Sequence, residues 1–293
     1  MNFILFRAYP LLCVLLFFTS CEGFFYKTID VEIDEFPPGY AVTCLWTNES
    51  KVQQGYISKT VGILKPVIPL SDKADFFLTS NLNRNWNVQT QDGIDYNDSP
   101  ILAGEILSIR VKINGAADLE STQTMPDSIK IIEASLKQAN RSTGSNFDKP
   151  DIVKIKIKDN PNEKNYYGFN VLYIVEENGS IDTLMNSIGS SDPAFDIDFS
   201  SFALFKDELF NGKEYTLSLE VFPSRWGSTQ NVVGLIIEAH HFSRDAYLYL
   251  SSLARSYYSD GNPFAEPIIV HQNIKNGYGI FGLANVNKYY QKI

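Results

Sequence analysis

The sequence predicts an all-β protein made of two immunoglobulin-like β-sandwich domains, the second with one short helix near the C-terminus. Short runs in which apolar and polar residues alternate recur along the chain, as in strands with one buried face. Asn-Gly and Asp-Gly pairs separate these runs and favour tight hairpin turns. The length of 293 residues exceeds what one small core needs, which favours two domains.

The alternation is clearest in four strands. Three Asn-Gly pairs, at Asn114, Asn178 and Asn211, lie beside them and predict turns. The residues that form the predicted buried faces are Leu107, Ile109, Val111 and Ile113; Val153, Ile155 and Ile157; Tyr167, Phe169, Val171, Tyr173 and Val175; and Tyr215, Leu217, Leu219 and Val221. Regularly spaced short strands of this kind are typical of β-sandwiches.

A polar segment without periodicity separates the two predicted domains. Residues 138–146 are small and polar, which is typical of a linker. We therefore predict an N-terminal sandwich over residues 29–140 and a C-terminal sandwich over residues 147–293.

The first twenty residues predict a lipoprotein signal peptide. Arg7 supplies a positive charge, and residues 11–18 form an apolar core too short to span a bilayer as a helix. The core ends at Cys21, which we predict to be the acylated N-terminus, followed by a tether over residues 21–28. An ordinary secretory signal, with Cys21 incidental, is the alternative.

Cysteine content and net charge make some classes of function unfavourable for this chain. Cys13 leaves with the signal and Cys21 carries lipid, so Cys44 remains alone and we expect it to be a small buried residue. The chain carries 25 basic and 34 acidic residues, a net charge of −9. An acidic chain without a basic run is a poor partner for nucleic acid and for anionic lipid headgroups.

A helix is predicted over about residues 243–257. Ser243 can cap it, and Asp245 in the first turn suits the positive end of the helix dipole. The residues at helical spacing that predict its buried face are Ala246, Leu250, Leu253, Ala254 and Tyr257. Beyond it, Pro263 and Pro267 favour an extended chain, with Ile268, Val270 and Ile280 assigned to the last strands.

Three patterns resemble chemical sites but are better explained otherwise. Gly277, Gly279 and Gly282 form a G-x-G-x-x-G run in a strand context, with no acidic residue after it, so we expect a bulge or close backbone approach. Glu238 and His240 share one face of a strand, while His241 points to the other face. At most two of these side chains could therefore bind one metal ion, and further ligands would have to come from elsewhere. The carboxylates in residues 192–208 do not have the spacing of a calcium loop, and we interpret them as solvated.

No motif of a catalytic nucleophile, cofactor or metal site is found, so we predict no catalytic residue, cofactor or metal. Tryptophans beside polar residues are the better binding candidates. Trp46, Trp86 and Trp226 have such neighbours, and we predict that Trp86, Trp226 and Arg225 bind a ligand or partner from exposed loops. The alternative is that each tryptophan covers a local core.

Several longer motifs carry a family resemblance. They are YLYLSSL at residues 247–253, NPFAEP at 262–267 and NIKNGYGIFG at 273–282, together with DNP…YYGF at 159–169 and LFNGKEY at 209–215. With these motifs the chain resembles the outer-membrane lipoproteins of Bacteroidota that are grouped as a domain of unknown function and are often encoded beside TonB-dependent receptors.

The resemblance implies a lipid-anchored outer-membrane protein, on a side of the membrane that the sequence does not decide. The expected function is a non-catalytic binding or accessory component of a TonB-dependent uptake system, with a small-molecule, glycan or peptide ligand. A structural or adhesion module of the envelope and an enzyme with an unrecognised site are the alternatives.

Overall fold

Strands account for nearly all the regular structure in the part of the chain that the structure describes, which confirms the all-β prediction. The computed structural model describes residues 39–49, 52–61, 70, 73–91, 93–97, 100–139, 149–199, 202–223, 231–260, 262 and 264–293. The signal peptide, Cys21 and the tether therefore lie outside the described residues, as do Arg225, Trp226 and the predicted linker from Asn140 onward.

The described ranges contain strands β1 (Tyr40–Thr47), β2 (Val52–Lys59), β3 (Ala74–Ser80), β4 (Asn85–Thr90), β5 (Gly93–Asn97), β6 (Ile106–Ile113), β7 (Leu119–Thr124), β8 (Lys130–Lys137), β9 (Asp151–Lys158), β10 (Tyr166–Glu177), β11 (Ser180–Met185), β12 (Ser187–Gly189), β13 (Phe195–Phe199), β14 (Phe202–Lys206), β15 (Glu214–Phe222), β16 (Asn231–Phe242) and β17 (Tyr278–Lys292). One α-helix, α1 (Arg244–Ser259), lies between β16 and β17, and a short 3₁₀ helix spans Asp207–Leu209. No helix in these ranges is long and apolar enough to cross a membrane.

The strands form three sheets. The largest has the order β13-β14-β10-β16-β17-β1-β2-β5, with β11 also paired to β10. Two four-stranded sheets have the orders β12-β15-β9-β8 and β4-β3-β6-β7. Every pair is antiparallel except β1 with β17, where Thr43 is opposite Ile280.

Two separate hydrophobic cores lie between the large sheet and the small sheets. In the first core, β1, β2, β5 and the start of β17 pack on β3, β6 and β7. In the second core, β10, β14 and β16 pack on β9 and β15. The predicted alternation in β6, β9, β10 and β15 is confirmed, because the residues predicted to be inward are those the two cores bury; only Tyr215 remains partly accessible.

Strand β17 contributes side chains to both cores. Phe281 and Leu283 near its start are buried in the first core, and Tyr289 near its end packs against the second. Between them, Asn285 and Asn287 donate hydrogen bonds to the backbone carbonyls of Pro126 (2.9 Å) and Ile129 (2.8 Å). These two amides therefore hold the connection between β7 and β8 where the two cores meet, a region called the seam below.

The predicted division at residues 140–147 stays a prediction, but strands on its two sides lie in one sheet. β8 precedes the predicted linker and β9 follows it, and the two pair with each other over residues 130–137 and 152–158. In the sheet order, the change from the first core to the second comes earlier in the chain, between β7 and β8.

Candidate functional site

The predicted helix is confirmed, with corrections at both ends. Ser243 is the N-cap residue, but its Oγ accepts a hydrogen bond from the Leu283 N–H (3.2 Å) instead of capping the helix. The Ser243 N–H donates to the Leu283 carbonyl (2.8 Å), so this residue continues the ladder between β16 and β17. At the other end, Tyr257 was predicted to be buried and is instead 73% exposed.

Glycines of the G-x-G-x-x-G run permit close packing around β17, as predicted. A Cβ at Gly279 would lie 2.1 Å from the Val42 carbonyl oxygen, and the φ of this glycine is +97°. A Cβ at Gly282 would lie 2.7 Å from the Ala246 side chain. The run therefore lets β1 approach on one side and α1 on the other.

The acidic residues near β13 fasten the helix to the sheet. Asp196 accepts hydrogen bonds from the Tyr247 hydroxyl (2.7 Å) and Arg255 (2.5 Å) and pairs with Lys206 (3.2 Å). Burial favours a raised pKa for Asp196, but the hydrogen bond from Tyr247 and the charges of Lys206 and Arg255 bring that pKa below its ordinary value. The interpretation of these carboxylates as solvated is wrong for Asp196 and also for Asp207, which is buried.

The remaining carboxylates of this group do not converge on a metal. Asp192 accepts hydrogen bonds from Tyr215 and the Ala194 N–H, and Asp198 accepts one from Tyr258. Throughout the described part of the chain, no group of three or more His, Cys, Asp or Glu side chains could hold a metal ion.

Hydrogen bonds hold residues 271–273, which precede β17 and are called the strap below, along α1. The His271 N–H donates to Ser252 Oγ (2.8 Å), and His271 Nε2 lies 2.8 Å from the Asp245 carboxylate. Asn273 donates to the same carboxylate (3.3 Å) and bonds with the N–H and carbonyl of Phe281. These contacts hold residues 271–273 along the stretch of α1 from Asp245 to Ser252 and beside Phe281 of β17.

Large apolar side chains are exposed between the helix end and this strap. We call them the apolar segment: Tyr257, Tyr258, Phe264, Ile268 and Ile269, which are 73%, 57%, 94%, 37% and 89% exposed. Neither Ile268 nor Val270 lies in a strand, so the assignment of these two residues to the last strands is wrong. Both ends of the segment are fixed, by Tyr258 with Asp198 and by His271 with Ser252.

The predicted loop positions of the tryptophans are not observed where the structure describes them. Trp86 lies in β4, partly buried, with its ring 5.9 Å from Phe76 and 5.3 Å from Tyr96. Trp46 is buried in the first core, and its Nε1 donates to the Gln54 carbonyl (2.8 Å). Binding by Trp86, Trp226 and Arg225 stays a prediction.

Sequence reasoning missed the apolar segment because its composition resembles that of a buried strand. Two signals were available: Ile268, Ile269 and Val270 are consecutive and do not alternate with polar residues, and Pro263 and Pro267 disfavour strand pairing.

Two smaller predictions are confirmed. Cys44 is fully buried in the first core, and burial raises the pKa of its thiol to about 12. His240 and His241 do point to opposite faces of β16: His240 stacks on Phe242 on the helix side, and His241 contacts Tyr167 on the core side.

Comparison with known proteins gives one positive result. A search among curated proteins found no match to the chain. A family model described as a domain of unknown function (DUF4249) matches residues 26–290, almost the whole chain after the predicted signal peptide. The chain therefore belongs to this family.

Proposed function

We propose that the protein is a lipid-anchored, non-catalytic binding component of the outer membrane that docks on a TonB-dependent receptor. The anchor is the acylated Cys21, and the docking surface is the apolar segment. The receptor complex takes up a small molecule, glycan or peptide, and this protein assists by binding.

The observation that carries the proposal is the exposure of the apolar segment. Phe264 and Ile269 are 94% and 89% exposed, although water disfavours large apolar side chains. Single exposed apolar residues are common, but five within thirteen positions of one chain segment are typical of an interaction site. Aromatic and aliphatic anchors of this kind supply most of the binding energy in protein interfaces.

The fixed ends of the segment support the same interpretation. Tyr258 and His271 tie it to β13 and α1, so binding would order few additional residues. A partner with an apolar groove and a basic rim would suit it, because Glu266 is exposed within the segment and the chain as a whole is acidic.

We also propose that the two cores are the interiors of two immunoglobulin-like sandwiches. Separate cores, each closed by a four-stranded sheet, support this description.

Co-purification tests the proposed function. Tagged protein is recovered from gently solubilised outer membranes, and its partners are identified by mass spectrometry. We expect a TonB-dependent receptor in stoichiometric amount. Recovery of the acylated protein alone would favour an independent envelope or adhesion module and contradict the proposal.

A further inference from the structure

A cleft of 330 Å³ lies at the seam, at the N-terminal end of α1. It opens between the β7–β8 connection, the turn before β10 and the junction of β16 with α1. The lining residues that matter here are Asp127, Glu163, Lys164, His241, Ser243 and Arg244. The helix has 16 residues, a length of roughly 24 Å at 1.5 Å per residue; the cleft lies at its first residues, and Tyr257 and Tyr258 of the apolar segment lie in its last turn.

The lining of the cleft includes a histidine side chain that can accept a hydrogen bond. His241 is only 5% exposed, and its Nδ1 lies 2.9 Å from the Asp127 backbone carbonyl. A carbonyl oxygen can only accept, so Nδ1 carries the proton and Nε2 presents its lone pair. No described residue forms a hydrogen bond with this Nε2. This nitrogen is therefore free to accept a hydrogen bond from a ligand that enters the cleft.

A hydroxyl donor also lines the cleft. The Ser243 side chain is buried, and its oxygen accepts from Leu283, which leaves the hydroxyl proton available. Because Ser243 forms no side-chain cap, the first N–H groups of α1 also lack one, and the positive end of the helix dipole is unscreened there.

Charges of both signs surround the mouth. Lys164 and Arg244 are positive, and the nearest carboxylate to Arg244 is Asp245 at 3.8 Å, with the Arg244 side chain 67% exposed. Glu163 and Asp127 are negative. Burial lowers the pKa of His241, and the hydrogen bond with the Asp127 carbonyl and the negative charges of Glu163, Asp127 and Asp159 oppose that effect.

We propose that this cleft binds a small zwitterion of the amino-acid or short-peptide class. Its ammonium group donates to His241 Nε2 and pairs with Glu163 and Asp127. Its carboxylate accepts from Ser243 and pairs with Arg244 and Lys164. The volume suits a dipeptide, since ligand sites of this size lie at the lower end of the usual range.

The test uses isothermal titration calorimetry on purified, detergent-solubilised, acylated protein, without any receptor. The probe is alanyl-alanine, compared with N-acetyl-alanyl-alanine and alanyl-alanine amide, which lack the ammonium and the carboxylate. We expect alanyl-alanine to bind and each analogue to bind at least about tenfold more weakly, because each loses a charge-assisted contact. Because no receptor is present, a negative result would contradict peptide binding in the cleft without contradicting receptor docking.

Two substitutions in the cleft test whether the peptide binds there. A third substitution, outside the cleft, is the control for the loss of a charge. Arg244→Gln should weaken alanyl-alanine by about tenfold but leave the amide unchanged, because the amide has no carboxylate to pair. Glu163→Gln should weaken alanyl-alanine and leave the N-acetyl analogue unchanged. Arg110→Gln, the same chemical change on the exposed face of β6, should alter neither.

Three results would overturn the proposal. They are no binding of alanyl-alanine by folded wild-type protein up to about 5 mM, equal binding of all three peptides, or equal weakening by Arg110→Gln and Arg244→Gln.

Discussion

Two regions near the C-terminus both contain large apolar residues, but one is packed against other elements and the other is exposed to solvent. The first region, residues 277–282, packs between β1 and α1. A single Cβ added at Gly279 would collide with the backbone of β1. The apolar segment, a few residues earlier, is mostly open to solvent. The motifs that carry the sequence resemblance therefore combine a part that builds the fold with a part that the fold leaves exposed. The first should control stability, and the second should control binding.

Gly279→Ala should have the largest effect. The new Cβ would lie 2.1 Å from the Val42 carbonyl oxygen at a φ of +97°, so the pairing of β1 with β17 must shift. We expect the free energy of unfolding to fall by about 4 kcal/mol or more in urea denaturation. Gly115→Ala is the control, because its φ is +77° but no atom lies within 4 Å of the added Cβ; about 1 kcal/mol is expected there. Equal losses would show that close packing around Gly279 is unimportant.

Trp86→Ala tests whether an aromatic side chain outside the apolar segment acts through stability alone. Its ring packs on Phe76 and Tyr96, so truncation should lower the free energy of unfolding by about 2–3 kcal/mol. Receptor recovery from membranes should not change. Unchanged stability together with lost recovery would instead support the binding role that the sequence predicted.

Acid should weaken the helix-covered face of the large sheet without altering the apolar segment. Burial lowers the pKa of His240 to about 4, from 6.5 in an unfolded chain, so the unfolded state binds more protons between these pH values. Stability should therefore fall as the pH is lowered through this window, by about 2 kcal/mol between pH 7 and pH 4.5. Urea denaturation of wild type and His240→Phe at both pH values measures it, because the variant should lose that part of the pH dependence. An unaltered pH dependence would exclude His240 as its source.

The sequence predicted the local elements well and the long-range arrangement poorly. Alternation located β6, β9 and β10, and Asn178-Gly179 does form a turn with both φ angles positive. The parallel pairing of β1 with β17 joins residues almost 240 positions apart, and nothing in local periodicity specifies it. The sharing of β17 by two cores follows from that pairing.

The aromatic residues show the limit of reasoning from neighbours. Trp86 is flanked by Asn85 and Asn87, which suggested an exposed loop. The same sequence is an alternating strand whose asparagines face solvent while the tryptophan faces the core. The prolines near Phe264 and Ile269 argued against a strand but did not specify exposure, because whether an apolar residue is covered depends on elements that are distant in sequence.

The double variant Phe264→Ser with Ile269→Ser should change stability least. Both side chains are almost fully exposed, so the free energy of unfolding should change by no more than about 0.5 kcal/mol. Receptor recovery in co-purification should nevertheless fall by at least about tenfold, as for residues at the centre of an interface. Ile181→Ser, at a 73% exposed position on β11, is the matched control and should leave recovery unchanged. A similar loss for both variants would mean that general surface polarity decides recovery.

Site-specific photocrosslinking in intact cells tests the docking claim most directly. A photoreactive amino acid replaces Phe264 in one strain and Ile181 in another, and crosslinked products are identified after irradiation. The account predicts a covalent adduct with a TonB-dependent receptor from position 264 and none from position 181. Equal crosslinking from both positions, or no receptor adduct from position 264 in a strain that expresses the receptor, would contradict it.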